Sequence, residues 1–259
     1  MLIAGVILLV VGAVVGFFAW RSKEKERKMI TTETLTSRAL GELAAAAATA
    51  AGPGAFRHTC EVTGTVQPGP GGALKSELSS TECVWHKHVV SRKYWETRRV
   101  RDSDGDYRTR RVESWERVAE RRSDQPFTLV DETGSVGVHA GTKEPDGLEQ
   151  VVDRFEPSNE QRGTELRFGG FSLNLGGGRE GTIGYKYEEW VLRPGRRLYV
   201  LGEATDAPGS IVMTNPSIIS TKDEQQLIQE ARTSQRWLTI GGAVAGVAGV
   251  VLIVVGLVT

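Results

Sequence analysis

Two histidines on one predicted strand are the residues of this chain best suited to bind a metal ion. His86 and His88 are two positions apart, so on a strand their side chains lie on the same face. Cys83 is close by but would point to the opposite face, and a structural zinc ion usually takes four ligands. The sequence shows no obvious third or fourth ligand. A solvent-facing pair of histidines is therefore favoured, and a metal-dependent enzyme that uses His86 and His88 stays as the alternative.

Three aspartates around Gly105 resemble a fragment of a calcium-binding loop. Asp102, Asp104 and Asp106 alternate along the chain, but the later bidentate glutamate of an EF-hand is missing, so a polar hairpin tip is favoured. The glycine-rich residues 176–181 lack the Gly-Lys-Ser/Thr of a phosphate-binding loop. No serine has the G-x-S-x-G context of a hydrolase nucleophile. The sequence therefore predicts no catalytic residue and no cofactor.

A run of arginines with interleaved aromatic residues is the strongest candidate for a binding surface. Between Arg92 and Arg122, eleven Lys or Arg residues stand against seven Asp or Glu residues. The interleaved aromatic residues are Tyr94, Trp95, Tyr107 and Trp115. This composition suits anionic lipid headgroups or nucleic acid. The surplus is small for an electrostatic footprint, so a charged ribbon with aromatics packed on one face is favoured, and nucleic acid is not expected. The predicted binding surface consists of Arg98, Arg99, Arg101, Arg108, Arg110 and Arg111.

Two uncharged apolar stretches lie near the ends of the chain. Leu2–Trp20 and Leu238–Val258 contain no charged residue, and each has the length of a helix that crosses the roughly 30 Å hydrocarbon core of a bilayer. Lys and Arg residues lie on the inner flank of each stretch, which predicts that the middle of the chain stays in the cytoplasm. The sequence thus predicts a multi-pass protein of the plasma membrane, with two spans and the lipid bilayer as a partner.

The two cysteines bear on the same topology. Cys60 and Cys83 are expected to stay reduced in a cytoplasmic domain. In the inverted topology they would be a plausible disulfide pair. A cleaved signal peptide is disfavoured, because the basic residues follow the first apolar stretch instead of preceding it.

The middle of the chain is predicted to be mostly antiparallel β-structure. An Ala-rich helix over residues 34–51 ends at Gly52. Three hairpins follow, around Asp104-Gly105, around residues 131–134 and around residues 193–195. A capping box at residues 221–224 begins a further helix.

The predicted fold class is an α+β membrane protein. A β-rich soluble domain, either an antiparallel barrel or a sandwich, lies between two transmembrane helices, with helices at both membrane-proximal ends. Residues 127–136 resemble the central hairpin of an OB-type barrel. The predicted boundaries are 1–20 for the first transmembrane helix, 21–52 for the basic flank and Ala-rich helix, 53–220 for the β-rich domain, 221–237 for a membrane-proximal helix and 238–259 for the second transmembrane helix.

The order of several short motifs resembles that of a known family. The motifs are Leu40–Leu43, Cys60–Val66, Pro126–Leu129, Gly134–Val138, Glu189–Leu192, Pro194-Gly195, Leu198–Glu203 and Arg236-Trp237. Together with the two apolar stretches, they resemble the region between the two spans of the mitochondrial membrane-anchored RING-type E3 ubiquitin ligases, known as the GIDE or BAM (beside-a-membrane) domain. The resemblance covers nearly the whole chain and rests mainly on the order of the motifs.

The resemblance implies a domain that senses or binds partners. In those ligases a zinc-binding RING finger follows the second span, whereas this sequence stops at Thr259 without a cysteine cluster. Ligase activity is therefore not expected. The expected function is a membrane-tethered, non-catalytic binding, assembly or stress-sensing module with a protein partner that the sequence does not name. The Ala-, Arg-, Gly- and Val-rich, Lys-poor composition is typical of a GC-rich prokaryotic genome.

Overall fold

The computed structural model describes residues 7, 10–18, 20, 31–101, 107–158, 165–168, 171–174, 181–207 and 210–258. Residues 10–18 are helical, and the longer helices are α1 (Ser37–Ala51) and α2 (Glu224–Val258). The strands are β1 (Arg57–Gln67), β2 (Leu74–Lys75), β3 (Glu82–Cys83), β4 (Trp85–Arg101), β5 (Tyr107–Arg122), β6 (Phe127–Asp131), β7 (Gly134–Val138), β8 (Glu149–Pro157), β9 (Glu165–Phe168), β10 (Phe171–Asn174), β11 (Thr182–Leu192), β12 (Arg197–Ala207) and β13 (Ser210–Ser220).

Five strands close into a barrel around the main hydrophobic core. Their order is β1-β12-β13-β7-β6, and β6 returns to β1. The β13–β7 pair is parallel and the other neighbouring pairs are antiparallel. A closed five-stranded barrel with this strand order is the arrangement of OB folds. Its core contains the buried side chains of Val62, Phe127, Leu129, Val200 and Met213.

Helix α1 packs against the barrel through Leu40 and Ala44, which are both buried. The helix begins where the Thr36 side chain accepts a hydrogen bond from the Ala39 amide, at 3.2 Å, as Thr does at an N-cap. Asp131, the last residue of β6, accepts a hydrogen bond from the Ser37 amide at 2.7 Å. This carboxylate therefore joins the start of α1 to the barrel.

Two excursions from the barrel form a second sheet, which we call the outer sheet. β4 and β5 lie between β1 and β6 in the chain, and β8 and β11 lie between β7 and β12. The four strands are antiparallel in the order β5-β4-β11-β8. The β4–β11 register ends at Tyr94↔Thr182, whereas the β4–β5 register continues to Arg101↔Tyr107. The β4–β5 ribbon therefore projects beyond β11.

Two of the three predicted hairpins are confirmed, and the third is wrong. β4 pairs with β5 and β6 pairs with β7, although the turn at Asp104-Gly105 lies outside the described residues. β11 and β12 are both strands, but β11 pairs with β4 and β8, and β12 pairs with β1 and β13. The turn at residues 193–196 therefore carries the chain from the outer sheet into the barrel. Turn-forming residues determine where a chain reverses but not which strand it then pairs with.

The predicted fold class, with two transmembrane helices and a multi-pass location, is wrong. The protein is β-rich and is built around a closed barrel. Helix α2 passes through the second apolar stretch, but among the described residues no helix is both long and apolar enough to cross a membrane. The prediction relied on the absence of charge in the two stretches, and the absence of charge is not by itself a measure of mean hydropathy over a helix of spanning length.

Helix α2 begins later than the predicted capping box implies. Its first residue is Glu224, and Asp223 Oδ1 accepts a hydrogen bond from the Gln226 amide at 2.8 Å. Asp223 therefore caps the helix instead of Thr221. One turn further on, Leu227 packs with Tyr199 on the outside of the barrel, which fixes the start of α2 to that wall.

Candidate functional site

The outer sheet has two faces that differ in chemistry. Side chains alternate along a strand, and the register places His88 opposite Glu189 on one face and Lys93 opposite Trp115 on the other. Residues 76–81 lie over the first, which we call the covered face. The second has large exposed aromatic side chains, and we call it the open face.

On the covered face, the buried carboxylate of Glu189 holds residues 76–81 in place. Its oxygens accept hydrogen bonds from the amides of Leu78 (2.7 Å) and Ser79 (2.9 Å). They also accept from the hydroxyls of Ser76 (2.9 Å) and Ser79 (2.6 Å). A buried carboxylate is stable only with such partners. The four donors explain why a polar loop closes over this part of the sheet.

His86 and His88 lie under this loop, so the predicted solvent-facing pair of histidines is wrong. Both rings are buried, and burial lowers the pKa of each, although the nearby carboxylates of Glu77 and Glu189 act in the opposite direction. His88 Nδ1 is 3.6 Å from Glu77 Oε2. In the part of the chain that the structure describes, no group of three or more His, Cys, Asp or Glu residues is arranged to hold a metal ion.

The two cysteines are free and buried. Burial raises the pKa of Cys60 to about 11 and that of Cys83 to about 12. Both thiols are therefore protonated at neutral pH, and neither is the thiolate that nucleophilic or metal-binding chemistry requires. Cys60 Sγ lies 4.0 Å from Met213 Sδ inside the barrel, where it acts as a small apolar side chain.

On the open face, three aromatic side chains of the ribbon are exposed to solvent. Trp95, Trp115 and Tyr107 are 39%, 51% and 67% exposed. The sequence analysis favoured aromatics packed on one face of the ribbon, and these three residues do share the open face. Each ring has a cation beside it. The distances to the ring centroids are 5.9 Å for Arg111 and Trp95, 5.8 Å for Lys93 and Trp115, and 6.0 Å for Arg99 and Tyr107. These are cation–π distances.

A fourth aromatic residue, Phe155 of β8, extends this surface across the sheet. Its ring meets that of Trp115 edge-to-face, with 6.1 Å between the centroids. The contact depends on Gly184 of β11, because a Cβ atom there would lie 2.5 Å from Phe155 Cζ. Sequence reasoning missed Phe155, since no local pattern connects it to the ribbon. The only indication in the sequence is a glycine within a β-branched and aromatic strand, which often marks a close approach.

Five of the six predicted arginines divide between the two faces of the ribbon. Arg99 and Arg111 lie beside the aromatic rings of the open face. Arg98 and Arg110 are opposite each other on the reverse side, with Arg108 one pair further along, and Arg101 is in register with Tyr107. Arg98 is ion-paired with Glu96 at 2.5 Å.

The acidic residues of the ribbon neutralise its base much more than its tip. Near the base, Glu113 is paired with Lys93, Glu116 with Arg92 and Glu120 with Lys87. The segments 97–101 and 107–112 contain the six predicted arginines and no Asp or Glu. Between them, residues 102–106, which lie outside the described residues, contribute three aspartates. A net positive charge of three therefore remains at the distal end.

The comparisons with known proteins identify one family. The family described as GIDE, E3 ubiquitin ligase, matches residues 96–255, which is more than half of the chain. The match is shorter than the expected resemblance, because α1 and β1 lie outside it. No curated protein and no solved structure matches the chain. The match includes β5, the barrel strands from β6 onward and most of α2. The chain therefore belongs to the GIDE family.

Proposed function

We propose that this chain is a non-catalytic binding module, with an assembly or sensing role, and that the open face of the β4–β5 ribbon is its contact surface. The observation that carries the proposal is the row of exposed Trp95, Trp115 and Tyr107, each with a cation beside its ring. Trp, Tyr and Arg are the residues that supply most of the binding energy in protein interfaces.

The buried polar groups of the described residues support a structural role rather than catalysis. The Glu189 carboxylate accepts hydrogen bonds from the loop above it. Glu61, also buried, accepts hydrogen bonds from Tyr199 and from Thr34. A metal-dependent enzyme that uses His86 and His88 is not proposed, because both rings lie under residues 76–81.

Photo-crosslinking tests the contact surface. A photoreactive amino acid at Trp115 should capture the physiological partner in cells, and one at Arg38, exposed on α1, should not. A discrete adduct that forms from Trp115 and is lost in Arg111→Glu supports the proposal. Adducts that form equally from both positions, or only from Arg38, would refute it.

A second measurement tests the absence of catalysis. The chain is incubated with ubiquitin, the ubiquitin-activating enzyme, a ubiquitin-conjugating enzyme and ATP. We expect no ubiquitin ladder. A ladder that requires this chain would show that the module is itself a ligase.

A further inference from the structure

We infer that the partner is an extended acidic peptide segment that adds as a new strand along the free edge of β5. The inference rests on the proposed function of the ribbon as a contact surface. Among the described strands, β5 and β8 are the two ends of the outer sheet. Among the strands that the structure describes, β5 pairs with β4 alone, from Tyr107 to Arg122. An added strand would bond to alternate N–H and C=O groups along its other side.

The charges of the two edge strands indicate that an acidic segment would bind to β5 and not to β8. β5 carries six arginines and three glutamates, a net charge of +3, whereas β8 carries three acidic residues and Arg154, a net charge of −2. The three glutamates of β5 are held in ion pairs with Lys93, Arg92 and Lys87. The cationic surplus therefore lies at the distal end, on β5 and the neighbouring part of β4.

The alternation of β5 defines what an added strand would contact. Tyr107, Arg111 and Trp115 follow one another at every fourth position on the open face. Arg108 and Arg110 are on the reverse side. Side chains of an added strand also alternate between the two faces. Acidic side chains would meet Arg110 on the reverse side or Arg111 on the open face, and an apolar side chain on the open face would meet the Trp115 ring. The expected peptide is thus acidic, with apolar residues at alternate positions.

A second copy of this chain is the competing occupant, since its acidic β8 edge could approach β5. The acidic groups of β8 are already paired with neighbouring cations. Glu149 pairs with Arg193 at 2.8 Å, Asp153 with Lys186 at 3.2 Å and Glu156 with Arg154 at 2.7 Å. Edge-to-edge association of β5 with β8 would therefore gain little from charge, and a separate acidic segment is favoured.

Fluorescence anisotropy with a labelled peptide of alternating glutamate and valine, about 12 residues long, tests the inference. A matched peptide of the same charge has proline at every valine position, so that it lacks the backbone N–H groups that strand addition uses. The protein variants are Arg111→Glu and Trp115→Ala. Arg38→Glu is the control, because it makes the same charge change at an exposed position of α1.

We expect the glutamate–valine peptide to bind, and the proline peptide to bind at least about tenfold more weakly, which is roughly 1.4 kcal/mol. Arg111→Glu and Trp115→Ala should each weaken binding about tenfold or more, and Arg38→Glu should not. Equal binding of both peptides would reduce the interaction to charge alone and overturn the inference. Binding of anionic vesicles or of a single-stranded oligonucleotide, without peptide binding, would overturn it as well. So would concentration-dependent self-association that Arg111→Glu abolishes. If the peptide fails but crosslinking at Trp115 still captures a partner, the proposed function survives and only strand addition is lost.

Discussion

On the covered face of the outer sheet, the Glu189 carboxylate is enclosed by four hydrogen-bond donors. On the open face of the same strands, Lys93 and Arg111 lie beside aromatic rings that solvent reaches. The covered face uses the Glu189 carboxylate to hold residues 76–81 in place. The other leaves cations and large apolar rings accessible. Burial alone is therefore a poor guide to the contact surface here, because the buried Glu189 holds a loop while the exposed rings face solvent.

Removing the Glu189 carboxylate from the covered face should have the largest effect on the free energy of unfolding. Glu189→Ala leaves the amides of Leu78 and Ser79 without their acceptor, and should lower the free energy of unfolding by about 3 kcal/mol. Glu188→Ala, the adjacent residue on the open face, is the control and should cost less than about 1 kcal/mol. Urea unfolding followed by circular dichroism measures both. Similar losses for the two variants would mean that the loop is not held by Glu189.

Gly184→Ala should both destabilise the outer sheet and move the Phe155 ring on the open face. The new Cβ would meet Phe155 Cζ and the Glu156 carbonyl oxygen, each at 2.5 Å. We expect a loss of about 1–3 kcal/mol and displacement of the Phe155 ring from Trp115, seen as a change in tryptophan fluorescence. Gly41→Ala in α1 is the matched control, since it meets nothing within 4 Å and should stabilise the helix by about 0.5–1 kcal/mol. An unchanged emission spectrum in Gly184→Ala would contradict the predicted displacement.

Features set by local sequence patterns could be predicted, whereas features set by long-range contacts could not. The turn at residues 131–134 and the long ribbon follow from local patterns, and the structure contains both. The burial of His86 and His88 depends on Glu189, which is 110 to 113 residues away from its loop partners. A strand position that alternates correctly looks the same in the sequence whether a loop covers it or not. Phe155 meets Trp115, and Gly184 lies against Phe155, only after the two excursions pair. Neither residue could therefore be assigned to the candidate site from the sequence.

The burial of His86 and His88 on the covered face predicts that the stability of the protein depends on pH. Burial lowers the pKa of His86 and His88 from their ordinary value of 6.5, so the unfolded chain binds protons more readily than the folded one. The contribution of the two neutral histidines to stability is therefore complete above about pH 6.5. It is lost as the pH falls from about 6.5 through their lower pKa in the folded protein. The double variant His86→Asn, His88→Gln should lose this slope between about pH 7 and pH 5. If the slope is the same in the double variant, other groups are responsible for it.

Removing the Trp115 ring from the open face should have the smallest effect on stability. This variant directly tests whether the two faces of the outer sheet differ in role. Trp115 is half exposed, and its neighbours Lys93 and Phe155 remain anchored on their own strands. Surface substitutions of this kind usually change the free energy of unfolding by no more than about 0.5 kcal/mol. Trp115→Ala should therefore unfold at nearly the same urea concentration as the unmodified chain, and should still lose about tenfold in affinity for the glutamate–valine peptide. A large loss of stability would place Trp115 in the core of the outer sheet, and its exposed ring could no longer be attributed to partner binding.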